Sequence, residues 1–322
     1  MGRTVLVTGV SRLLGGRMAA ALAQDPDIHV IGVDVVAPES VVPGITFVRA
    51  DIRNPVIAKI MGEAAVDTVV HMGVIATPKQ AGGRSTMKEI NVIGTMQLLA
   101  ACQRAPGVER LVVKSTAAVY GSGPKDPALV TEDIEVKHPP TSGWAKDSVE
   151  VEAYVRGFAR RRPDVAVTTL RFANIIGPRI HTSLTSYFSL PLVPTVWGFD
   201  PRLQFVHEDD ALAAIHRSVN SDQVGTFNVA GEGVLLLSQA LRMARRTSVS
   251  VAAPLFPMVG RALSPRGDVD FSPESVRYLT YGRALDTSAA RSVLGFTPRY
   301  STAEAFESLV NDDHGVQEVQ VA

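Results

Sequence analysis

The stretch Thr4–Gly16, "TVLVTGVSRLLGG", decides the fold because its apolar period changes partway along. Val5, Leu6 and Val7 form a continuous apolar run of strand length, and from Leu14 to Gln24 the apolar positions recur at helical spacing. Gly9 ends the strand and Gly15 opens the helix. The free N–H groups and dipole at such a helix start suit a pyrophosphate, although a glycine-bearing strand–helix turn is often only a turn.

Outward from this turn the same alternation repeats. Apolar strand patterns are expected at 29–34, 45–51, 66–72, 109–116 and 165–174, and helices over 86–104 and 142–160. Strands apolar on both faces and separated by helices predict right-handed βαβ units and a doubly wound parallel Rossmann sheet of the α/β class. After Asn174 the texture changes, with Pro178, Pro191, Pro194 and Pro201 suggesting long loops, then a helix over 211–219 and a strand over 225–230. The expected organisation is a dinucleotide-binding domain over 1–174, to which 203–231 returns. A smaller C-terminal region over 175–202 and 232–311 would cover a substrate, and a tail over 312–322 would fray.

Composition narrows the function classes. The 322 residues carry 32 basic and 32 acidic side chains, so no net field gathers nucleic acid or an anionic membrane. The single cysteine, Cys102, excludes an internal disulfide and a multi-cysteine zinc site. No apolar run is long enough to span a bilayer, and the chain enters a strand pattern at once, so a cytoplasmic location is expected.

Strand ends supply the candidate site, since ligands of open parallel sheets bind beyond the carboxyl ends of the strands. Asp34 closes the second strand, where it can accept from the ribose hydroxyls of an adenosine and repel a 2′-phosphate. "ADIR" (50–53), "HMGV" (71–74) and "KSTAAVYG" (114–121) close the next three. His71 reads more readily as a structural than as a catalytic histidine. Asn91, a poor helix former inside a helix, suggests a tertiary hydrogen bond or a solvent-facing side chain. In "TSGWAKDSVE" (141–150), Ser142 and Lys146 lie one helical turn apart and share a face, a spacing that by itself is common.

Taken together, these segments resemble the extended short-chain dehydrogenase/reductase family, in its NAD-dependent epimerase/dehydratase branch, over roughly 4–300. Within the branch the likeness is to UDP-glucose 4-epimerases of actinobacteria. Thr8, Gly9 and Gly15 match its glycine-rich turn, and Asp34 its acid on the second strand. Asp51, Ile52 and Arg53 match its next strand end, and Asn91, Val92, Gly94 and Thr95 its Asn-Val-x-Gly-Thr helix. Ser115, Thr116, Val119, Tyr120 and Gly121 match its Val-Tyr-Gly segment. "RFANIIGP" (171–178), "FVHEDDALAAI" (205–215) and "LGFTP" (294–298) match its later motifs. The resemblance implies NAD held by Gly9, Arg12, Leu14, Asp34, Asp51, Ile52, Asn91 and Lys146, a reacting oxygen held by Thr116, and substrate met by Asn174. It also implies a homodimer built from the helices 86–104 and 142–160, which are apolar on more than one face.

Two departures from the family matter more than the matches. Arg12 replaces the middle glycine of the turn, where it either narrows the site or folds over the phosphates. Its neighbour Ser11 completes a Ser-Arg pair like the one that grips a 2′-phosphate in NADPH-preferring shorter relatives, whereas Asp34 argues for NAD. Ser142 occupies the place of the family's active-site tyrosine, and a serine is a far weaker acid with a shorter reach. The expected function is therefore hydride transfer at a secondary carbinol, of a nucleotide sugar, with an unusual proton relay at Ser142. The alternative is an NAD-binding regulatory or assembly protein without turnover.

Overall fold

The computed structural model describes residues 2–38, 43–73, 75–76, 82–264 and 267–319, with side chains as far as 311. The change of period around Gly9 separates β1 (Arg3–Thr8) from α1 (Leu13–Leu22). There follow β2 (Ile28–Asp34), β3 (Ile45–Arg49), α2 (Val56–Glu63) and β4 (Thr68–His71). Helix α3 consists of Arg84–Lys88, a π-helical stretch Glu89–Gly94 and Thr95–Arg104. Strand β5 (Arg110–Thr116) leads through a 3-10 turn, Ala117–Tyr120, to α4 (Gly143–Arg161) and β6 (Ala166–Phe172).

The second half contains β7 (Asn174–Ile176), α5 (Ser183–Phe188), β8 (Leu192–Val196), β9 (Arg202–Leu203), β10 (Phe205–His207) and α6 (Glu208–Val219). After these come β11 (Gly225–Val229), β12 (Leu235–Leu236), α7 (Leu237–Met243), β13 (Thr247–Val251) and α8 (Phe256–Leu263). The last elements are α9 (Pro273–Tyr281), α10 (Ser288–Ser292) and α11 (Thr302–Val319). The side chains from 312 and all of 320–322, where a fraying tail was expected, lie outside the described residues.

Seven parallel strands form the main sheet in the order β11-β6-β5-β4-β1-β2-β3. The chain winds outward from β1 in one direction, then crosses over and winds the other way from β4. The β1/β4 junction is thus the switch point where such sheets bind ligands. The strands are apolar throughout because alternate residues feed two cores. Val5, Val7 and Val112 pack with Met18 and Leu22 of α1 and Ile215 of α6. Leu6, Leu111 and Val113 pack with Met61 of α2, Leu98 of α3 and Phe158 of α4. Burying each such side chain contributes about 1.5–3 kcal/mol.

The region between 178 and 201, read as loop from its prolines, holds α5 and β8. Pro194 is compatible with β8 because that strand belongs to a two-stranded sheet with β13, so one of its edges has no ladder to break. These elements enclose a third core, in which the Phe188 and Phe306 rings meet edge to face at 4.8 Å. Helix α3 begins two residues before the expected start and widens at Glu89–Gly94. There Asn91 is drawn to the β4–α3 loop and Ile52 presses on Gly94, where a Cβ would lie 2.7 Å from its Cδ1. Among the described residues no helix is long and apolar enough to cross a membrane.

A buried ion pair joins the sheet to α4. Arg171 on β6 donates to Glu152 of α4 at 2.6 Å, and Ser115 of β5 donates to the same carboxylate at 2.6 Å. Arg171 also donates to the Tyr120 hydroxyl at 2.8 Å, and that hydroxyl donates to Asn228 of β11 at 2.8 Å. Removing one partner strands the other charge in the interior. Arg171→Met is expected to cost about 3–5 kcal/mol, read as a lowered urea midpoint with unchanged slope. A midpoint within error of the unchanged protein's would show that the pair does not hold α4 to the sheet.

Candidate active site

The turn between β1 and α1 is shaped by two glycines. Gly9 has φ +75°, in the left-handed region that favours glycine. A Cβ on Gly15 would lie 2.1 Å from the Gly9 carbonyl oxygen, so α1 starts directly against the turn. The Arg12 position makes no such demand, since its φ of −94° and ψ of 151° are open to any residue. Replacing the glycine by arginine therefore adds a side chain without backbone strain. No side chain caps α1, so its first N–H groups are not satisfied by a cap. Leu14, in that first turn, packs against the core beneath.

Asp34 closes the turn from the other side. Its Oδ2 accepts from the Ser11 N–H at 3.0 Å and the Ser11 hydroxyl at 2.5 Å, and its Oδ1 accepts from the Val35 N–H at 2.7 Å. Ser11, read as half of a 2′-phosphate grip, is thus bonded to the acid instead. Burial holds the Arg12 guanidinium below the usual arginine range, and Asp34 pulls it back up. At the end of β3, Asp51 forms a forked pair with Arg53, which also reaches Glu89, and this pairing holds the Asp51 carboxyl below its usual range. Ile52 packs over the π-helical stretch of α3.

Two residues read from the sequence act as struts. His71 sits between Thr8, at 3.0 Å from Nδ1, and Thr95, at 2.9 Å from Nε2. The Thr95 hydroxyl donates to the Asn91 carbonyl, which assigns the ring as the neutral Nε2–H tautomer. Burial, then the charge of Lys114, pushes its pKa down to about 4. Asn91, implied by resemblance to touch the cofactor, uses its amide on the Ile75 N–H (2.8 Å), the Ile75 carbonyl (3.0 Å) and Asp147 (3.3 Å). Through these bonds Asn91 ties α3 to the β4–α3 loop and to α4. Asp147, fully buried in α4, is gripped by both Arg84 terminal nitrogens at 2.7 Å, and Arg84 also donates to the Gly143 carbonyl. Together these contacts fix the start of α4, where Ser142 and Lys146 stand.

Ser142 precedes α4, and Lys146 lies one turn on, its N–H donating to the Ser142 carbonyl at 3.3 Å. The Ser142 Oγ is buried without a hydrogen-bond partner, and Lys146 is exposed with no ion pair among the described residues. Thr116 ends β5, its Oγ1 accepting from the Ala118 N–H at 3.2 Å. The Tyr120 hydroxyl is taken up by Arg171 and Asn228, and Tyr154 lies exposed on α4.

Sequence reasoning missed the residues that the C-terminal region brings in from far along the chain. Glu274 of α9 accepts from the Thr141 N–H at 3.0 Å, beside Ser142. Arg277 donates to the Ser122 carbonyl at 2.9 Å and Arg283 to the Gly121 carbonyl at 2.5 Å. Arg283 lies 5.2 Å over the Tyr278 ring, and the Tyr278 hydroxyl is buried beside Asn174, its pKa pushed up to about 12 by burial. Neither arginine forms an ion pair among the described residues. Lys114, two residues before Thr116 on the same face of β5, was missed too, although a charge inside an apolar strand was a visible signal.

These leftovers fit a dinucleotide. The N–H groups of α1 and Arg12 could hold its phosphates, Asp34 its adenosine ribose, and Lys146 with the Ser142 Oγ its nicotinamide end. The structure aligns with the UDP-glucose 4-epimerase of Thermotoga maritima, solved with UDP-glucose, over 98% of this chain and 99% of that one, with TM-score 0.74 and 19% identity. It aligns with MoeE5, solved with UDP-glucuronic acid and NAD, over 98% and 100%, with TM-score 0.75 and 20% identity. In sequence the chain is 48% identical over 312 residues to an uncharacterized protein of Mycobacterium tuberculosis, covering 95% of this chain and 82% of that one. It is 28% identical to the UDP-glucose 4-epimerase of Mycolicibacterium smegmatis, over 82% of this chain and 81% of that one. With residues 5–230 matching the family model, the chain belongs to the NAD dependent epimerase/dehydratase family.

Proposed function

We propose that the protein oxidises and re-reduces a secondary carbinol of a nucleotide sugar, with the carbinol proton relayed by water at Ser142. NAD, when bound, supplies the hydride acceptor and donor. Thr116 holds the carbinol oxygen, and Lys146 orients the cofactor ribose and adds positive charge that favours loss of the proton. The unbonded, buried Ser142 Oγ carries this reading, because it marks a polar place at the cleft where the relay would otherwise have a phenol. Arg283, which lies over the Tyr278 ring beside Asn174 and forms no ion pair among the described residues, supports an anionic substrate such as a nucleoside diphosphate sugar. The nucleotide-sugar complexes among the structural neighbours support the same class.

A second reading, cofactor binding without turnover, is favoured by the serine itself. A positioned general base contributes about 10²–10⁴ in rate, and water held by a serine recovers only part of that. For the assembly we infer a homodimer through α3 and α4, in the reducing cytoplasm. The apolar residues of these two helices divide by burial. Met87, Leu98, Val151 and Phe158 are core, whereas Ile93, Met96 and Tyr154 face outward. Val151 is thus a poor probe of an interface, and Ile93 a good one.

Three measurements bear on this reading. By calorimetry, Asp34→Ala should weaken NAD, and Asp34→Arg should shift preference to NADP; tighter NADP than NAD in the unchanged protein would reverse the assignment. Ser142→Tyr should raise turnover of a UDP-hexose by about 10²-fold. A well-placed phenol in a crystal structure, with NAD bound and no gain across nucleotide sugars, would count against this substrate class. Ile93→Glu should yield monomers in light scattering, and an unchanged protein already monomeric at micromolar concentration would remove the dimer.

A further inference from the structure

Lys114 is the one basic residue in the β5 strand interior between Leu111 and Thr116, and it is only half-buried among apolar neighbours. It makes no hydrogen bond or ion pair among the described residues. Its backbone is pressed against the turn after β4, where a Cβ on Gly73 would lie 2.3 Å from the Lys114 carbonyl oxygen and 3.7 Å from its Cβ. This places Lys114 at the β4/β5 ends, one strand from the switch point, on the sheet face that carries α1. Its charge is felt by His71 on β4, and the charge of Arg12 is felt by Lys114.

The surrounding charges do not balance this pair of cations. His71 is neutral in its hydrogen-bonded tautomer. Asp34, facing Arg12 from β2, is already bonded to Ser11 and Val35. Helix α6, which packs on β5, carries Glu208 and Asp209 at its start, but these are held by Arg17 and Arg179. Arg12 at the uncapped start of α1 and Lys114 at the end of β5 therefore face one another's charge, and among the described residues no carboxylate is hydrogen-bonded to either.

We propose that Lys114 and Arg12 together hold the diphosphate of the dinucleotide, Lys114 acting from the strand side and Arg12 from the turn. The inference rests on the NAD reading above and deepens it. It explains how the glycine-to-arginine change at 12 is accommodated: backbone approach to the phosphates is exchanged for two charged side chains, and a diphosphate brings the two negative charges that the pair lacks.

The proposal has a consequence in proton binding. Burial, then Arg12, pushes the Lys114 pKa down to about 8. A bound diphosphate favours the charged amine and raises that pKa toward the ordinary lysine value. Above about pH 8 the free protein has lost this proton and the complex keeps it, so binding takes up a proton and weakens as pH rises. Below about pH 8 both forms hold the proton and the affinity is flat.

The test is titration calorimetry of the full chain with NAD between pH 7 and pH 9.5, in buffers of differing ionisation enthalpy. The expected result is proton uptake above pH 8, and an affinity that falls by up to about tenfold per pH unit there. Lys114→Met should bind NAD at least about tenfold more weakly at pH 7 and show no uptake. Lys114→Arg, which keeps the charge and cannot lose it, should bind tightly with a flat profile; this variant also separates loss of charge from a folding defect. NAD affinity unchanged or improved in Lys114→Met, with no uptake in the unchanged protein, would overturn the inference and leave the cofactor reading intact. No NAD binding by the unchanged protein at any pH would overturn both.

Discussion

The site depends on one close approach, that of α1 to the turn that precedes it. With only hydrogen on Gly15, the helix starts against the Gly9 carbonyl, and no larger residue fits there. That contact aims the uncapped end of α1 at the crevice between β1 and β4, where the sheet changes winding direction. The remaining parts of the site are arranged around this end. Asp34 ties the turn to β2 through Ser11, the His71 strut ties β4 to β1 and α3, and Arg84 with Asp147 fixes the start of α4. Each of these ties is a buried or half-buried polar contact, and in a low-dielectric interior such contacts fix position more than they add stability.

The chemistry follows from what these ties leave unsatisfied. The structural polar groups are paired: Tyr120 with Arg171 and Asn228, Asn91 with Ile75 and Asp147. Among the described residues Lys114, Lys146, Arg277 and Arg283 form no ion pair, and the buried Ser142 Oγ has no hydrogen-bond partner. Carboxylates stand among these cations: Asp34 faces Arg12, and Glu274 accepts from the Thr141 N–H beside Ser142. The chain as a whole carries 32 basic and 32 acidic side chains, so any attraction for an anion is local to these groups.

How much of this was legible in the sequence depended on whether an element's neighbours are local. The parallel strands were readable because both of their faces are buried, which gives continuous apolar runs that no other element imitates at that spacing. Gly9, Gly15 and Asp34 were readable because a strand–turn–helix fixes its own geometry. Ser142 and Lys146 were readable as a pair because one helical turn sets their relation. The places of Tyr278, Arg277 and Arg283 were not, because only tertiary packing carries α9 across 133 residues to Thr141. The faces of α3 and α4 were not separable for a related reason: a helix apolar on several sides does not say which side is core, and only packing distinguishes buried Val151 from exposed Ile93. Asn91 was seen to need a tertiary partner, and its amide meets the Ile75 backbone and Asp147, neither of which is local in sequence.

The central claim is that a site without the family's phenol still moves hydride to and from a sugar carbinol. Its most direct test is a single-turnover reaction of the purified protein, loaded with NAD, against a panel of UDP-hexoses, following reduced-nicotinamide fluorescence. The account predicts a slow rise in that signal with at least one sugar, faster at higher pH as proton transfer to water becomes easier. A protein shown by calorimetry to bind both NAD and the sugar, yet giving no reduced nicotinamide over hours at any pH, would contradict it.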